Sequence, residues 1–166
     1  MVGAWVLLAL LFDCDLALSA GKSVDQLAFE RINNALFPAS QNAALYRTIK
    51  TMLPMFDGVE LYTVAFVPIL TSRKKFDTVL IRTPYGTDGL KGEGESYVNE
   101  GFAVVMQDFR GRTRSKGTFQ CWFNASTDAA ATIDWVIAQE WSTKGMFAAF
   151  LLSTLSIRKT MYSLTG

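Results

Sequence analysis

The chain contains no histidine anywhere in its 166 residues. That removes the usual general base for a serine nucleophile and the commonest neutral metal ligand. Cysteine is nearly absent: Cys14 and Cys121 are the only two. Two cysteines make neither a disulfide framework nor a zinc site, so a metal would rest on carboxylates alone. No cofactor is expected. An excess of charge of one sign is lacking too. The net charge is +1, which gives no electrostatic footprint for nucleic acid or an anionic membrane surface. No apolar run reaches the roughly 20 residues of a stable membrane span. Half the residues are hydrophobic and 19% are charged, a balance that fits a globular chain and excludes wholesale disorder. The length suits one domain, and no pattern fixes an oligomeric state.

The N-terminus reads as an address. Ala4 to Phe12 is a short apolar run with the length of a signal-peptide core, and Ala17-Leu18-Ser19 or Ala20 offers small residues for cleavage. No Lys or Arg precedes the run, and Asp13 and Asp15 follow it. The expectation is a signal peptide over residues 1–20 and a secretory route. A buried helix or an uncleaved anchor is the alternative. Asn124-Ala125-Ser126 is a glycosylation acceptor triplet that agrees with secretion. Cleavage would remove Cys14 and leave Cys121 without a partner in the chain.

Two helices are expected next, forming an extension over residues 21–54. Ser23 and Gln26 have capping-box spacing, and Val24, Leu27, Ala28, Phe29, Ile32 and Leu36 recur at helical intervals up to Pro38. Ala44, Leu45, Ile49, Met52 and Leu53 suggest a second helix from about Ser40 to Leu53, stopped by Pro54. The pattern then turns to strands. Asp57-Gly58 is a turn signal, and Val59–Val67 and Phe76–Thr83 are rich in β-branched and aromatic residues. A short helix should end near Glu100, with Gly101 as its stop. Phe102–Gln107 is a continuous apolar run, as in a strand covered on both faces. Thr127–Gln139 is a strong helix. The expected fold class is α/β, a mixed sheet with an antiparallel N-terminal edge and parallel inner strands. Functional residues in such sheets gather at the C-terminal strand ends, here Arg82-Thr83-Pro84-Tyr85 and Gln107-Asp108-Phe109-Arg110.

Several motifs in register carry a resemblance. They are Asp57-Gly58-Val59-Glu60-Leu61, Arg82-Thr83-Pro84-Tyr85, the run from Gly101 to Arg112 (GFAVVMQDFRGR), Ser115-Lys116-Gly117, Asp134-Trp135 and Trp141-Ser142. Together, over residues 55–147, they resemble the X-Pro dipeptidyl-peptidase and cocaine-esterase family of α/β-hydrolases. The resemblance implies a partial α/β-hydrolase fold, a Ser-Asp-His triad, a helical cap and a C-terminal jelly roll. It implies acyl hydrolysis of peptide or ester substrates. It also implies that Tyr85 contributes to the oxyanion hole, where a phenol donor would stabilise the tetrahedral intermediate. The plainer reading of Tyr85 is an aromatic packed under its turn. For the alternating charges of Asp108, Arg110, Arg112, Arg114 and Lys116, anion contact is one reading; an Asp108–arginine pair that fixes the loop is the preferred one.

The chain departs from that family after Lys144-Gly145-Met146-Phe147. A Gly-x-Ser-x-Gly nucleophile elbow is expected there. The residues present are Ala148-Ala149-Phe150-Leu151-Leu152, with Phe150 in the serine position. Ser153, Ser156 and Ser163 lie outside that frame. Residues 148–166 therefore read as a divergent tail from a splice, frameshift or gene-model boundary. The expectation is an N-terminal fragment of a secreted hydrolase, inactive as written. Its incomplete sheet would expose an edge beside Phe102–Gln107. The alternative is a non-catalytic secreted binding or regulatory protein.

Overall fold

The computed structural model describes residues 26, 27, 30, 45–69, 72–120, 123–153 and 156–163. Residues 26, 27 and 30 are helical, inside the first expected helix. The expected signal peptide, Cys14, Cys121 and the remaining residues of the first expected helix lie outside the described residues.

Among the described residues six strands form one sheet: β1 (Tyr46–Pro54), β2 (Glu60–Pro68), β3 (Phe76–Thr83), β4 (Ala103–Asp108), β5 (Ser142–Ser153) and β6 (Ser156–Ser163). Their spatial order is β1-β2-β4-β3-β5-β6. β4–β3 and β3–β5 are parallel; the β1–β2, β2–β4 and β5–β6 pairs are antiparallel. Helix α1 (Lys91–Asn99) follows β3 through a 3-10 turn at Thr87–Leu90, and α2 (Ala125–Ile137) precedes β5.

The alternation of side chains across the sheet builds two cores. Val64, Phe66, Val79, Ile81, Val104 and Met106 face α1 and meet Leu90 and Val98. Gly94 lets α1 approach closely, because a Cβ there would lie 3.1 Å from the Phe66 ring and 3.2 Å from the Met106 sulfur. Ala65, Val67, Leu80, Ala103 and Val105 face the other way and meet Val136 and Trp141. Burying each of the larger side chains contributes about 1.5–3 kcal/mol. Strands covered on both faces read as unbroken apolar runs, which is why β3 and β4 were visible in the sequence.

Two expectations are corrected. The helix expected up to Leu53 is strand β1 from Tyr46 onward, paired residue by residue with β2 from Tyr46↔Pro68 to Pro54↔Glu60. Ile49, Met52 and Leu53 are spaced three and one apart, which fits one helix face. The nine-residue antiparallel ladder and the β-formers Tyr46, Thr48, Ile49 and Thr51 outweigh that local periodicity. Pro54 is tolerated because it closes an edge strand. The second correction concerns the exposed edge. β4 lies between β2 and β3 with all six residues buried, so the sheet has no edge beside Phe102–Gln107. A strand apolar on both faces takes an interior place. Residues 148–153 and 156–163, within the segment read as a divergent tail, enter the same sheet. β5 runs beside β3 and β6 pairs back on it, so both sheet edges are antiparallel.

Candidate active site

Where β3 and β4 end, their register sets two polar rows on opposite faces of the sheet. Thr63, Gln107 and Arg82 are neighbours across β2, β4 and β3. Their side chains point to the α2 face. The Arg82 Nε donates to Gln107 Oε1 at 2.8 Å. Gln107 Nε2 donates to the hydroxyls of Thr63 at 3.0 Å and Thr132 at 2.9 Å. Another Arg82 nitrogen donates to the Ala125 carbonyl at 2.5 Å. Asp128 faces Arg82 at 3.6 Å, both nearly inaccessible. Burial pulls the Arg82 guanidinium down to about 10, and Asp128 opposes that fall. The cation persists at neutral pH because Gln107 and the Ala125 carbonyl accept from it and Asp128 supplies a counter-charge.

Thr83 and Asp108 form the next row and face α1. Asp108 is completely buried. Its carboxylate accepts the Thr87 N–H at 2.7 Å, the Arg114 N–H at 3.2 Å and Arg114 Nε at 3.4 Å. Burial raises its pKa, and the Thr87 and Arg114 contacts work against that rise. Asp108 thus pairs with Arg114, the arginine pairing preferred from the sequence. Arg114 also reaches Thr87 Oγ1 at 2.8 Å and Asp88 at 3.1 Å, and lies 3.9 Å over the Tyr62 ring. Asp108 therefore ties two loops together: Arg114 belongs to one, and Thr87 follows Tyr85 in the other.

Tyr85 lies in the turn between β3 and the 3-10 helix, half-buried, at the C-terminal end of the central parallel strands. Its N–H donates to Thr83 Oγ1 at 3.2 Å. The Phe109 N–H donates to the Thr83 carbonyl at 2.9 Å, stitching the two strand-end loops together. The loop after Phe109 needs a glycine: Gly111 has φ 66°, and a Cβ there would stand 2.2 Å from the Phe119 nitrogen. Gly111 N–H donates to the Lys116 carbonyl at 2.9 Å and Lys116 N–H to the Glu60 carbonyl at 2.9 Å. The charges of this loop are engaged within the fold. Arg110 binds Asp57 and Asp128, Arg112 stacks on Phe119 and Lys116 pairs with Glu60.

The elbow position has a different backbone. β5 continues as a strand from Ser142 to Ser153, and Phe150 is paired with Ile81 on one side and Lys159 on the other. No strand-to-helix turn interrupts residues 148–152. Ser153 and Ser156 are partners at the β5–β6 hairpin, at the same sheet end as Tyr85, whereas Ser163 pairs with Met146 at the opposite end. Among the described residues no group of three metal-ligating side chains converges, and no helix is long and apolar enough to cross a membrane. Arg82, Gln107, Asp57 and Arg110 stand in the sequence motifs, but their partners are not legible there. A polar residue ending each apolar strand was the available signal; Thr132 and Asp128 gave none beyond lying on the helix.

The model of the X-Pro dipeptidyl-peptidase (S15 family) matches residues 57–155. The cocaine esterase of Rhodococcus sp. (strain MB1 Bresler) is 31% identical over 124 residues, covering 69% of this chain and 21% of the esterase. Among solved structures, an aminopeptidase from a marine sediment Thaumarchaeota archaeon is 25% identical with a TM-score of 0.54, covering 68% of this chain and 22% of its own. An α-amino acid ester hydrolase is 26% identical with a TM-score of 0.52, covering 70% and 22%. The chain spans about a fifth of the length of these relatives. The matched segment runs from the β1–β2 turn, through both polar rows and Tyr85, to the β5–β6 hairpin, and on that ground the chain belongs to the X-Pro dipeptidyl-peptidase (S15) family of hydrolases.

Proposed function

We propose that this chain is the N-terminal part of an acyl hydrolase acting on peptide or ester bonds, that Tyr85 is its oxyanion donor, and that the chain as it stands does not turn over substrate. The observation that carries the reading is β5. Its backbone passes through Phe150 as a paired strand, where the family resemblance calls for a serine on a sharp turn. The chain also has no histidine to take a serine proton. Support for Tyr85 is positional. It stands in the turn just after a central parallel strand, and its loop is anchored by the Asp108–Thr87 hydrogen bond. A fixed donor is what oxyanion stabilisation requires, because it costs no reorganisation as charge develops.

The test is direct. Purified 166-residue protein is offered an activated ester and an X-Pro anilide, with and without a serine-directed inhibitor. The expected result is no inhibitor-sensitive turnover. Turnover that the inhibitor abolishes would overturn the proposal.

The N-terminal run of residues 4–12 and the Asn124 triplet support a secretory destination. One observation favours a non-catalytic secreted role as the second reading: of the buried charges, Arg82, Glu95, Asp108 and Asp128 each have an ion-pair partner, as in a domain that folds independently. A cooperative melt of a soluble monomer supports that role, and aggregation supports the fragment.

A further inference from the structure

We propose that Asn124 carries an N-linked glycan and that the first sugar of this glycan covers the ring of Phe56. The inference is independent of the hydrolase reading and rests on the secretory one.

The triplet Asn124-Ala125-Ser126 has the acceptor pattern. The fold leaves it available. Asn124 stands immediately before α2 with φ 63°, a left-handed conformation that asparagine tolerates better than most residues. Its side chain makes no capping bond to the helix. The Asn124 carbonyl, by contrast, is engaged by the Asp128 N–H and the Thr127 hydroxyl. The backbone is thus fixed while the side-chain amide remains open to modification. Ser126 is exposed.

The surroundings supply the second observation. Phe56 is 72% exposed and Phe123 is 70% exposed. Among the described residues the other large exposed apolar side chains belong to Leu45 and Ile69, whose backbones are joined by a hydrogen bond at the far end of the β1–β2 pair. Phe56 and Asn124 line one open cavity of about 280 Å³ with Asp57, Arg110, Thr127 and Asp128. Phe56 gives it an aromatic surface, and Asp57, Arg110, Thr127 and Asp128 give it polar groups. That is the chemistry of a pyranose: C–H bonds for the ring and hydroxyls for the carboxylates and guanidinium. The donor would be a lipid-diphosphate-linked oligosaccharide. The bond from sugar C1 to the diphosphate oxygen breaks, and C1 bonds to Asn124 Nδ2. One amide proton passes to the transferase base, and the lipid diphosphate leaves.

The test expresses the full chain with its own N-terminus in cultured eukaryotic cells. The expected result is one step of gel mobility removed by peptide-N-glycosidase and absent from Ser126→Ala. That variant keeps Asn124 and its backbone. A chain that is protease-protected in membrane vesicles yet unshifted would overturn the glycan alone; an unprotected, unshifted chain would overturn the secretory reading with it. The contact is tested separately. Enzymatic removal of the glycan should lower the melting temperature of the wild type and leave that of Phe56→Ser nearly unchanged. An equal drop in both would overturn the contact with Phe56.

Discussion

Arg110 donates to both carboxylate oxygens of Asp128, at 2.6 and 3.2 Å. Its other edge grips Asp57 on the β1–β2 turn at 2.7 and 3.1 Å. One guanidinium therefore clamps a hairpin tip to the first turn of α2, and Asp128 also faces the buried Arg82. Two cations depend on one carboxylate whose side chain is 3% exposed. Replacing Asp128 by Ala leaves Arg82 buried without its counter-charge. Removing one partner of a buried pair costs about 3–5 kcal/mol, so the urea midpoint of D128A should fall steeply. Asp57→Ala should shift it far less, because Asp57 stands in water. Equal shifts would show that the Asp57 arm, not the buried arm, holds the clamp.

Gly111→Ala should be more damaging than Gly58→Ala, although both glycines have positive φ. At Gly58 nothing lies within 4 Å of an added Cβ, so only the conformational cost of about 1–2 kcal/mol applies. At Gly111 the methyl group would collide with the backbone of Thr118 and Phe119. That loop must move, and Arg110 and Arg114 move with it. Limited proteolysis should cut residues 110–120 in the Gly111 variant and spare them in the Gly58 variant.

How far the sequence led is clearest at two strands. Phe102–Gln107 announced β4 because parallel strands bury both faces, and the run admits no helix-like stripe. β1 was hidden because an edge strand with one wet face leaves few apolar residues, and theirs happened to match a helical spacing. Only its ladder with β2, a long-range relationship, reveals it. The site divided likewise. Tyr85 and Asp108 were placed by family motifs at strand ends. The Thr63–Gln107–Arg82 row was not, because its meaning lies in the register of three adjacent strands whose order in the sheet, β2-β4-β3, differs from their order along the chain.

The two carboxylates give stability slopes of opposite sign. Asp57 lies below its ordinary pKa of 3.8, mainly through its hydrogen bonds from Arg110. A lowered folded pKa contributes stability that is present above the unfolded value and is lost as pH falls through the folded one. Asp108 lies above 3.8 because of burial. A raised folded pKa contributes stability that is present below the unfolded value and is lost as pH rises through the folded one. Urea midpoints from pH 3 to pH 6 should show the advantage of wild type over Asp57→Asn growing with pH. The difference between wild type and Asp108→Asn should move the opposite way. Parallel slopes would contradict the Asp108 environment.

Restoring the elbow pattern alone should not restore an enzyme. Ala148→Gly, Phe150→Ser and Leu152→Gly together rebuild Gly-x-Ser-x-Gly in the family frame. The new serine would stand within β5, opposite Ile81 and three residues before the strand ends on the sheet end of Tyr85. It would still lack a base, since the chain has no histidine. Loss of the base from a serine site costs on the order of 10⁶ in kcat. The triple variant should therefore show no ester turnover above the uncatalysed rate. Adding Tyr85→Phe should then change nothing, because an oxyanion donor acts only once a nucleophile attacks. If the triple variant hydrolyses ester and Tyr85→Phe slows it about 10²–10³-fold, Tyr85 is the oxyanion donor and another group supplies the base.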